Sequence, residues 1–248
     1  RTCRPKTDLP RRLALEAARV PQGRLVAMSN SSDQYPPMEE KLCLSRNCLE
    51  ILRARGLAVQ VVTKSCLVAR DAQLLAGMRA CVAITLTTLD DSISRSLESG
   101  ASLPGQRLKA MEKLAALGVP VSARIDPIIP GINDAEIDDL VSAVSRAGAI
   151  HITSSTYKAR PGGLKRIMNA FPEQGAALQR LFAGGEMMAG SLYLPAELRR
   201  GLMERIAASA EVEALTFSSC REGSEPAPGI NCDGSHLLPS QDKVKPEE

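Results

Sequence analysis

Aromatic residues are scarce: 3 Tyr, 3 Phe and no Trp in 248 residues. A surface that stacks a row of bases on ring faces needs more of them. No apolar run approaches the roughly 20 residues of a membrane span, which argues against a transmembrane protein. No charge of one sign dominates. Lys and Arg number 31 against 28 Asp and Glu, for a net charge of +3, which by itself argues no nucleic-acid partner. No G-x-G-x-x-G and no P-loop occurs, so dinucleotide and nucleoside triphosphate binding have no motif behind them. None of the 7 cysteines pairs at C-x2-C spacing, which leaves no zinc ribbon and no complete local iron–sulfur motif. Their odd number, with no signal-like opening stretch, fits a reduced, cytoplasmic protein. At 44% hydrophobic and 24% charged residues, the composition is that of a folded globule rather than a disordered chain.

What is present is a regular alternation. Strands are expected at Leu25–Met28, Val59–Val62, Val82–Leu86, Val121–Ile125 and Ile150–Thr153. Between them, helices are expected from Met38 to Arg55, over Asp71–Arg79, from Gln106 to Leu117, and after an Asn133 cap with Glu136 three residues on. Gly118 and Gly148 are the natural helix stops. The last third is less regular, with helix over Leu164–Phe182 interrupted at Pro172, helix over Pro195–Ala208 and a sixth strand near Glu213–Phe217. Strands and helices alternating at the roughly 30-residue spacing of βαβ units give an α/β fold with a parallel sheet, a partial barrel or a doubly wound sheet. The strands read as continuously apolar, as buried parallel strands do. The expected division is a core over residues 1–182, a C-terminal extension over 183–239 and a disordered tail over 240–248.

Polar residues collect just after each strand, the end where barrel enzymes carry their sites. They are Ser29–Asp33, Thr63-Lys64-Ser65, Thr85 to Asp90, Asp126, and Ser154 to Lys158. The Ser29–Glu40 segment reads either as a binding loop for a polar small molecule or as a cluster of turn and cap residues. Lys64 reads as a ligand for a carboxylate or phosphate, as a Schiff-base lysine, or as a lysine that reaches solvent. Glu98, Arg107 and Arg95 are expected to brace the loop after the third strand. Arg124 and Asp126 flank Ile125, so one of them can face inward. His151 is expected to be a packed histidine. Cys220 and Cys232, with His236 nearby, are auxiliary metal candidates or ordinary loop thiols.

Taken together, five segments resemble a known family. They are SNSSDQYPPMEEKLCLSR (Ser29–Arg46), VVTKSCLVARD (Val61–Asp71), ITLTTLDD (Ile84–Asp91), LESGASLPGQRL (Leu97–Leu108) and IDPIIPGIND (Ile125–Asp134), with SSCREG and NCDGSHLLP weaker echoes near the C-terminus. The stretch is similar to the radical S-adenosylmethionine (radical SAM) proteins related to spore photoproduct lyase, the DNA repair photolyase-like group. The resemblance implies a partial parallel (β/α)6 TIM-like barrel. It also implies a [4Fe–4S] cluster held by C-x3-C-x2-C, and reductive cleavage of S-adenosylmethionine to a 5′-deoxyadenosyl radical that abstracts a substrate hydrogen. The cofactors carry such chemistry, while the protein positions and shields them. A reductant such as flavodoxin or ferredoxin is the implied redox partner, and a nucleic acid is left open as substrate.

The resemblance further implies that Ser31, Ser32, Asp33, Lys64 and Thr85 contact S-adenosylmethionine, Lys64 through the carboxylate of its methionine moiety. Two departures stand out. No C-x3-C-x2-C triplet occurs, so the chain is expected to begin downstream of the first strand and the cluster loop, to lack the cluster and to be inactive alone. The position of the lyase's hydrogen-donating cysteine falls at Asn30, which argues against spore photoproduct repair itself. The alternatives are another barrel enzyme, aldolase-like through Lys64, and a cluster-less binding protein with a nucleotide or nucleic-acid surface.

Overall fold

The computed structural model describes residues 4–28, 32–223 and 227–240. Cys3, Ser29, Asn30, Ser31 and residues 241–248 of the expected tail lie outside the described residues.

Ten α-helices and eight strands follow one another among the described residues. The first half runs α1 (Leu9–Ala17), β1 (Leu25–Met28), α2 (Glu39–Leu42), α3 (Leu44–Ala54), β2 (Ala58–Thr63), α4 (Ala72–Ala76), β3 (Ala80–Thr85), α5 (Asp91–Leu97) and α6 (Pro104–Ala116). The second half runs β4 (Val121–Ile128), α7 (Ile137–Arg146), β5 (His151–Thr156), α8 (Gly163–Ala170), α9 (Pro172–Ala183), β6 (Glu186–Met188), β7 (Ser191–Tyr193), α10 (Ala196–Val212) and β8 (Thr216–Ser219). Six strands form one sheet in the order β1-β2-β3-β4-β5-β8, every neighbouring pair parallel. The strand expected near residues 213–217 is β8, and it closes this order. The hairpin β6–β7 stands apart and touches the core through a bridge from Leu192 to Ala159; it was not foreseen.

The two faces of the sheet differ in chemistry. On the convex face, Val59, Val61, Val82, Ile84, Val121, Ala123, Ile125 and Ile152 pack against Leu49 and Leu52 of α3, Met111 and Leu114 of α6, Leu140 and Val144 of α7 and Ile206 of α10. Each such fully buried aliphatic side chain contributes about 1.5–3 kcal/mol, so this layer holds the sheet to its helices. The concave face carries Gln60, Cys81, Thr85, Ser122, Arg124, His151 and Thr153, and Ser218 continues it on β8. The expectation of continuously apolar strands therefore holds for one face only. β4 and β5 alternate, because their inward side chains meet polar chain rather than a second helical layer.

Two helix expectations change. The helix expected from Met38 to Arg55 is two helices, since Cys43 takes a left-handed conformation at φ 50° between α2 and α3. The Glu39 carboxylate then accepts from the Ser45 and Arg46 amides at the start of α3, at 3.0 and 3.4 Å, as an anion should at a helix N-terminus. Asn133 does not cap a helix. Its amide donates to the carbonyls of Thr87 (2.6 Å) and Pro127 (3.0 Å), and its Oδ1 accepts from the Ile129 amide (2.7 Å). Glu136, its supposed box partner, accepts from Thr88 Oγ1 (2.8 Å) and from the Leu89 amide (2.7 Å). Both residues tie the loop after β3 to the loop after β4, and α7 begins only at Ile137.

Candidate functional site at the mouth of the sheet

The C-terminal ends of β1, β2 and β3 are fastened together by side chains from the loops. Asp33 Oδ1 accepts from Thr63 Oγ1 (2.7 Å) and from the Tyr35 amide (2.9 Å), and Oδ2 accepts from the Lys64 amide (2.7 Å). Three donors on one carboxylate make Asp33 a brace between the first two strand ends. Tyr35 is buried and donates its hydroxyl to Asp71 Oδ2 at 3.1 Å. Burial and the Asp71 carboxylate push its phenol far above the ordinary range. Arg70 bonds both Asp71 oxygens and Glu39 Oε1, and Arg46 adds a 3.2 Å pair with Asp71. Buried carboxylates survive only with such partners. The segments 29–46 and 61–71 thus recognise each other.

Above this brace lies a cleft of about 590 Å³ lined by Asp33, Tyr35, Pro36, Lys64, Glu98 and the 99–102 loop, among others. That volume falls within the range of small-molecule sites. Lys64 Nζ stands 2.7 Å from Glu98 Oε1, and Arg107 Nη1 stands 2.6 Å from Glu98 Oε2. Arg107, 1% exposed, also donates to the carbonyls of Ser102 (2.7 Å) and Thr85 (2.9 Å). The loop brace expected of Glu98 and Arg107 is present. Arg95 takes no part in it and pairs with Asp91 at the surface.

The strand register sets one row across the concave rim. Thr85 pairs with Arg124, Arg124 with Thr153, and Thr153 with Ser218. Lys64 lies one residue past the Thr63–Ile84 pair, which puts it beside Thr85. Arg124 Nη2 is 2.8 Å from Asp126 Oδ2, and Ser155 Oγ donates to Asp126 Oδ1 at 2.6 Å, so both residues flanking Ile125 face inward. Ser32 is exposed and lines a different hollow, at the β1 edge. Lys64 and Thr85 are therefore neighbours, Asp33 holds them in place through the backbone, Ser32 is set apart from the row, and Ser31 is outside the described residues. Thr87 Oγ1, just beyond β3, is buried without a hydrogen-bond partner among the described residues.

At the far end of the mouth a second carboxylate is clamped. Glu222 Oε1 accepts from the Thr156 amide (2.7 Å) and Lys158 Nζ (2.6 Å), and Oε2 pairs with Arg199 Nη1 at 3.0 Å. Lys158 and Arg199 also lie 5.4 and 5.3 Å from the centre of the Tyr193 ring. Glu222 and Arg199 were missed in the sequence. Glu222 follows the sixth strand, β8, so the rule that polar groups follow strand ends reaches it as well.

The N-terminal half of the concave face is covered by residues 231–239. Gln60 Nε2 donates to the Asp233 carbonyl, Thr153 Oγ1 to the Cys232 carbonyl (2.9 Å) and Arg79 Nε to the Pro239 carbonyl (2.7 Å). Gly234, at φ 80°, passes so close that a Cβ there would stand 3.2 Å from Ser122 Oγ, so glycine suits this floor. His151 is packed as expected, with Nδ1 2.8 Å from Thr216 Oγ1 and its ring edge-on to His236 at 4.6 Å. Burial, with His236 adding to it, lowers its pKa to about 4.

Comparison with known proteins decides the family. The family model of the radical SAM superfamily matches residues 5–144, more than half the chain. The chain belongs to the radical SAM superfamily. This radical SAM chain is 28% identical over 195 residues to an uncharacterized protein of Mycobacterium tuberculosis, a match covering 73% of this chain and 55% of that protein. It spans about half the length of that relative. Spore photoproduct lyase complexed with dinucleoside spore photoproduct superposes with a TM-score of 0.61 at 16% identity, over 86% of this chain and 66% of the lyase. SuiB of Streptococcus suis bound to S-adenosylmethionine gives 0.53 at 14%, over 90% and 45%. These likenesses establish the expected partial parallel barrel. No helix among the described residues is long and apolar enough to cross a membrane.

Membership implies S-adenosylmethionine and a [4Fe–4S] cluster. The two fit this chain differently. For S-adenosylmethionine, the rim offers a cation and a cleft of suitable size. For the cluster, the sequence holds no C-x3-C-x2-C triplet. Among the described residues no group of three or more His, Cys, Asp or Glu could hold a metal. No residue here is therefore assigned to the cluster.

Proposed function

We propose that this chain forms the S-adenosylmethionine-binding and substrate-facing part of a radical SAM enzyme acting by hydrogen abstraction. The observation that carries the reading is the rim row, with Lys64, Thr85 and Arg124 side by side at the C-terminal ends of parallel strands. Lys64 binds the methionine carboxylate of the ligand, exchanging Glu98 for it as ion-pair partner. Thr85 lies next along the row and offers a hydroxyl to the ligand's polar edge. Asp33 serves this site from the β1 side by fixing the Lys64 backbone. Arg124, Asp126 and Ser155 line the adjoining concave mouth and suit a polar substrate. In this reading the cluster is held by cysteines other than those of these 248 residues, which contain no C-x3-C-x2-C triplet. The ion pair of Lys64 with Glu98 speaks against the aldolase-like alternative, since a Schiff-base lysine needs an apolar pocket or a cationic neighbour to lower its pKa.

Titration calorimetry of the chain with S-adenosylmethionine tests the first half of the reading. Binding is expected, and it should weaken in Lys64→Ala. Equal binding by native and variant protein would remove Lys64 from the site. Anaerobic iron–sulfur reconstitution of the longer protein tests the second half, and reduction without release of 5′-deoxyadenosine would sink it.

A further inference from the structure

We propose that Cys220 and Cys232 form a redox-active dithiol site on the concave face, which closes to an intramolecular disulfide by exchange with a low-molecular-weight disulfide. The placement comes from β5. The Cys220 amide donates to the Ser154 carbonyl at 2.8 Å, and the Cys232 carbonyl accepts from Thr153 Oγ1 at 2.9 Å. Adjacent residues of one strand thus anchor the two cysteines. Cys220 also continues the inward series of Thr216 and Ser218, both of which contact His151. Cys220 lies near enough to Cys232 to act on its thiol, and both are free and only partly buried. They face the mouth where Arg124 stands.

Metal binding is the weaker use of this pair. No third His, Cys, Asp or Glu among the described residues completes a metal site with them, and two thiolates alone leave a structural metal short of ligands. Two neighbouring thiols need no further ligand to form a disulfide, only a two-electron oxidant. Burial first, and then Cys220 beside it, push the Cys232 thiol up from its ordinary value. In the exchange, one thiolate attacks an external disulfide such as glutathione disulfide, releasing one glutathione and leaving a mixed disulfide. The second cysteine then displaces the other glutathione. Two S–H bonds and the external S–S bond break, one new S–S bond forms, and two electrons and two protons leave on the glutathiones. The bond would tie the end of β8 to the floor segment that already holds Gln60, Thr153 and Arg79. This site is independent of the proposed radical chemistry.

The test equilibrates the chain with glutathione buffers of rising oxidised fraction, blocks free thiols with iodoacetamide and maps tryptic peptides. Cleavage after Arg221 separates the two cysteines, so their disulfide appears as two linked peptides. The linked species is expected while Cys43 and Cys66 remain alkylatable. Cys48 and Cys81, whose thiols burial raises to about 11 and about 12, should be silent in both states. Cys232→Ser should convert the link into a glutathione adduct on Cys220, and the oxidised native protein should melt several degrees higher than the reduced one. Alkylation of Cys220 and Cys232 up to the point where Cys43 and Cys66 are themselves glutathionylated, with no linked peptide, would overturn the proposal. So would a link that forms only in urea.

Discussion

Lys64 Nζ and Glu98 Oε1 stand 2.7 Å apart with unequal exposure, the lysine side chain 42% open and the glutamate 5%. The glutamate has a second partner in Arg107 and the lysine a second anchor in its own backbone amide. The ammonium can therefore leave Glu98 for a ligand without leaving a buried charge alone.

A binding variant follows from this asymmetry. Lys64→Ala should change stability by no more than about 1 kcal/mol, as for exposed ion pairs. Its affinity for S-adenosylmethionine should fall about 10-fold or more, since a hydrogen bond to a charged group contributes about 1.5–3 kcal/mol. Urea unfolding and calorimetry on one preparation measure both effects.

Arg107 behaves oppositely. Arg107→Met leaves Glu98 buried with only the exposed lysine, and frees the carbonyls of Thr85 and Ser102. Breaking a buried pair from one side costs about 3–5 kcal/mol. Urea midpoints should show a loss of that size, and a neutral outcome would mean that the 99–102 loop relaxes to admit water.

The Glu222 clamp gives a third expectation. Glu222→Gln should strand Lys158 and Arg199, whose side chains are 7% and 8% exposed, again at about 3–5 kcal/mol. Combining it with Lys158→Met should cost less than the sum of the two, because they share one interaction. A double-mutant cycle in urea checks the coupling.

His151 sets a pH dependence. Its imidazole titrates at 6.5 in the unfolded chain and at about 4 in the folded one. Between these values the unfolded state binds more protons, so stability is full above about pH 6.5 and falls as the pH drops toward 4. The loss should be no more than about 3 kcal/mol. His151→Asn should flatten that part of the profile in unfolding curves at pH 7, 5.5 and 4.5.

Several features were legible before the fold was known. The five leading strands could be read because β-branched residues clustered between helix stops, and Gly118 and Gly148 both take positive φ where the helices end. Lys64 and Thr85 could be singled out because they follow apolar runs. The capping reading of Asn133 failed for a physical reason. A cap signal is local, but the Asn133 amide is taken by the Thr87 carbonyl from the loop after β3 and by the Pro127 carbonyl at the end of β4. Glu39 is similar, since a helix read as continuous through Cys43 left no start for its carboxylate to cap.

Sequence alone determined which residues could be apolar wall and which could do chemistry, because hydrophobic periodicity and strand-end polarity are local properties of the chain. It also carried the resemblance to a radical SAM barrel through five segments in order. Only the tertiary structure decided who partners whom. Asp33 became a brace rather than a free ligand, Glu98 came to hold Lys64 and Arg107 together, and Cys220 met Cys232 against two neighbouring residues of β5. Those pairings join residues from 9 to 79 positions apart. Such contacts depend on strand order and register, which the packing of the whole sheet sets and no single segment encodes.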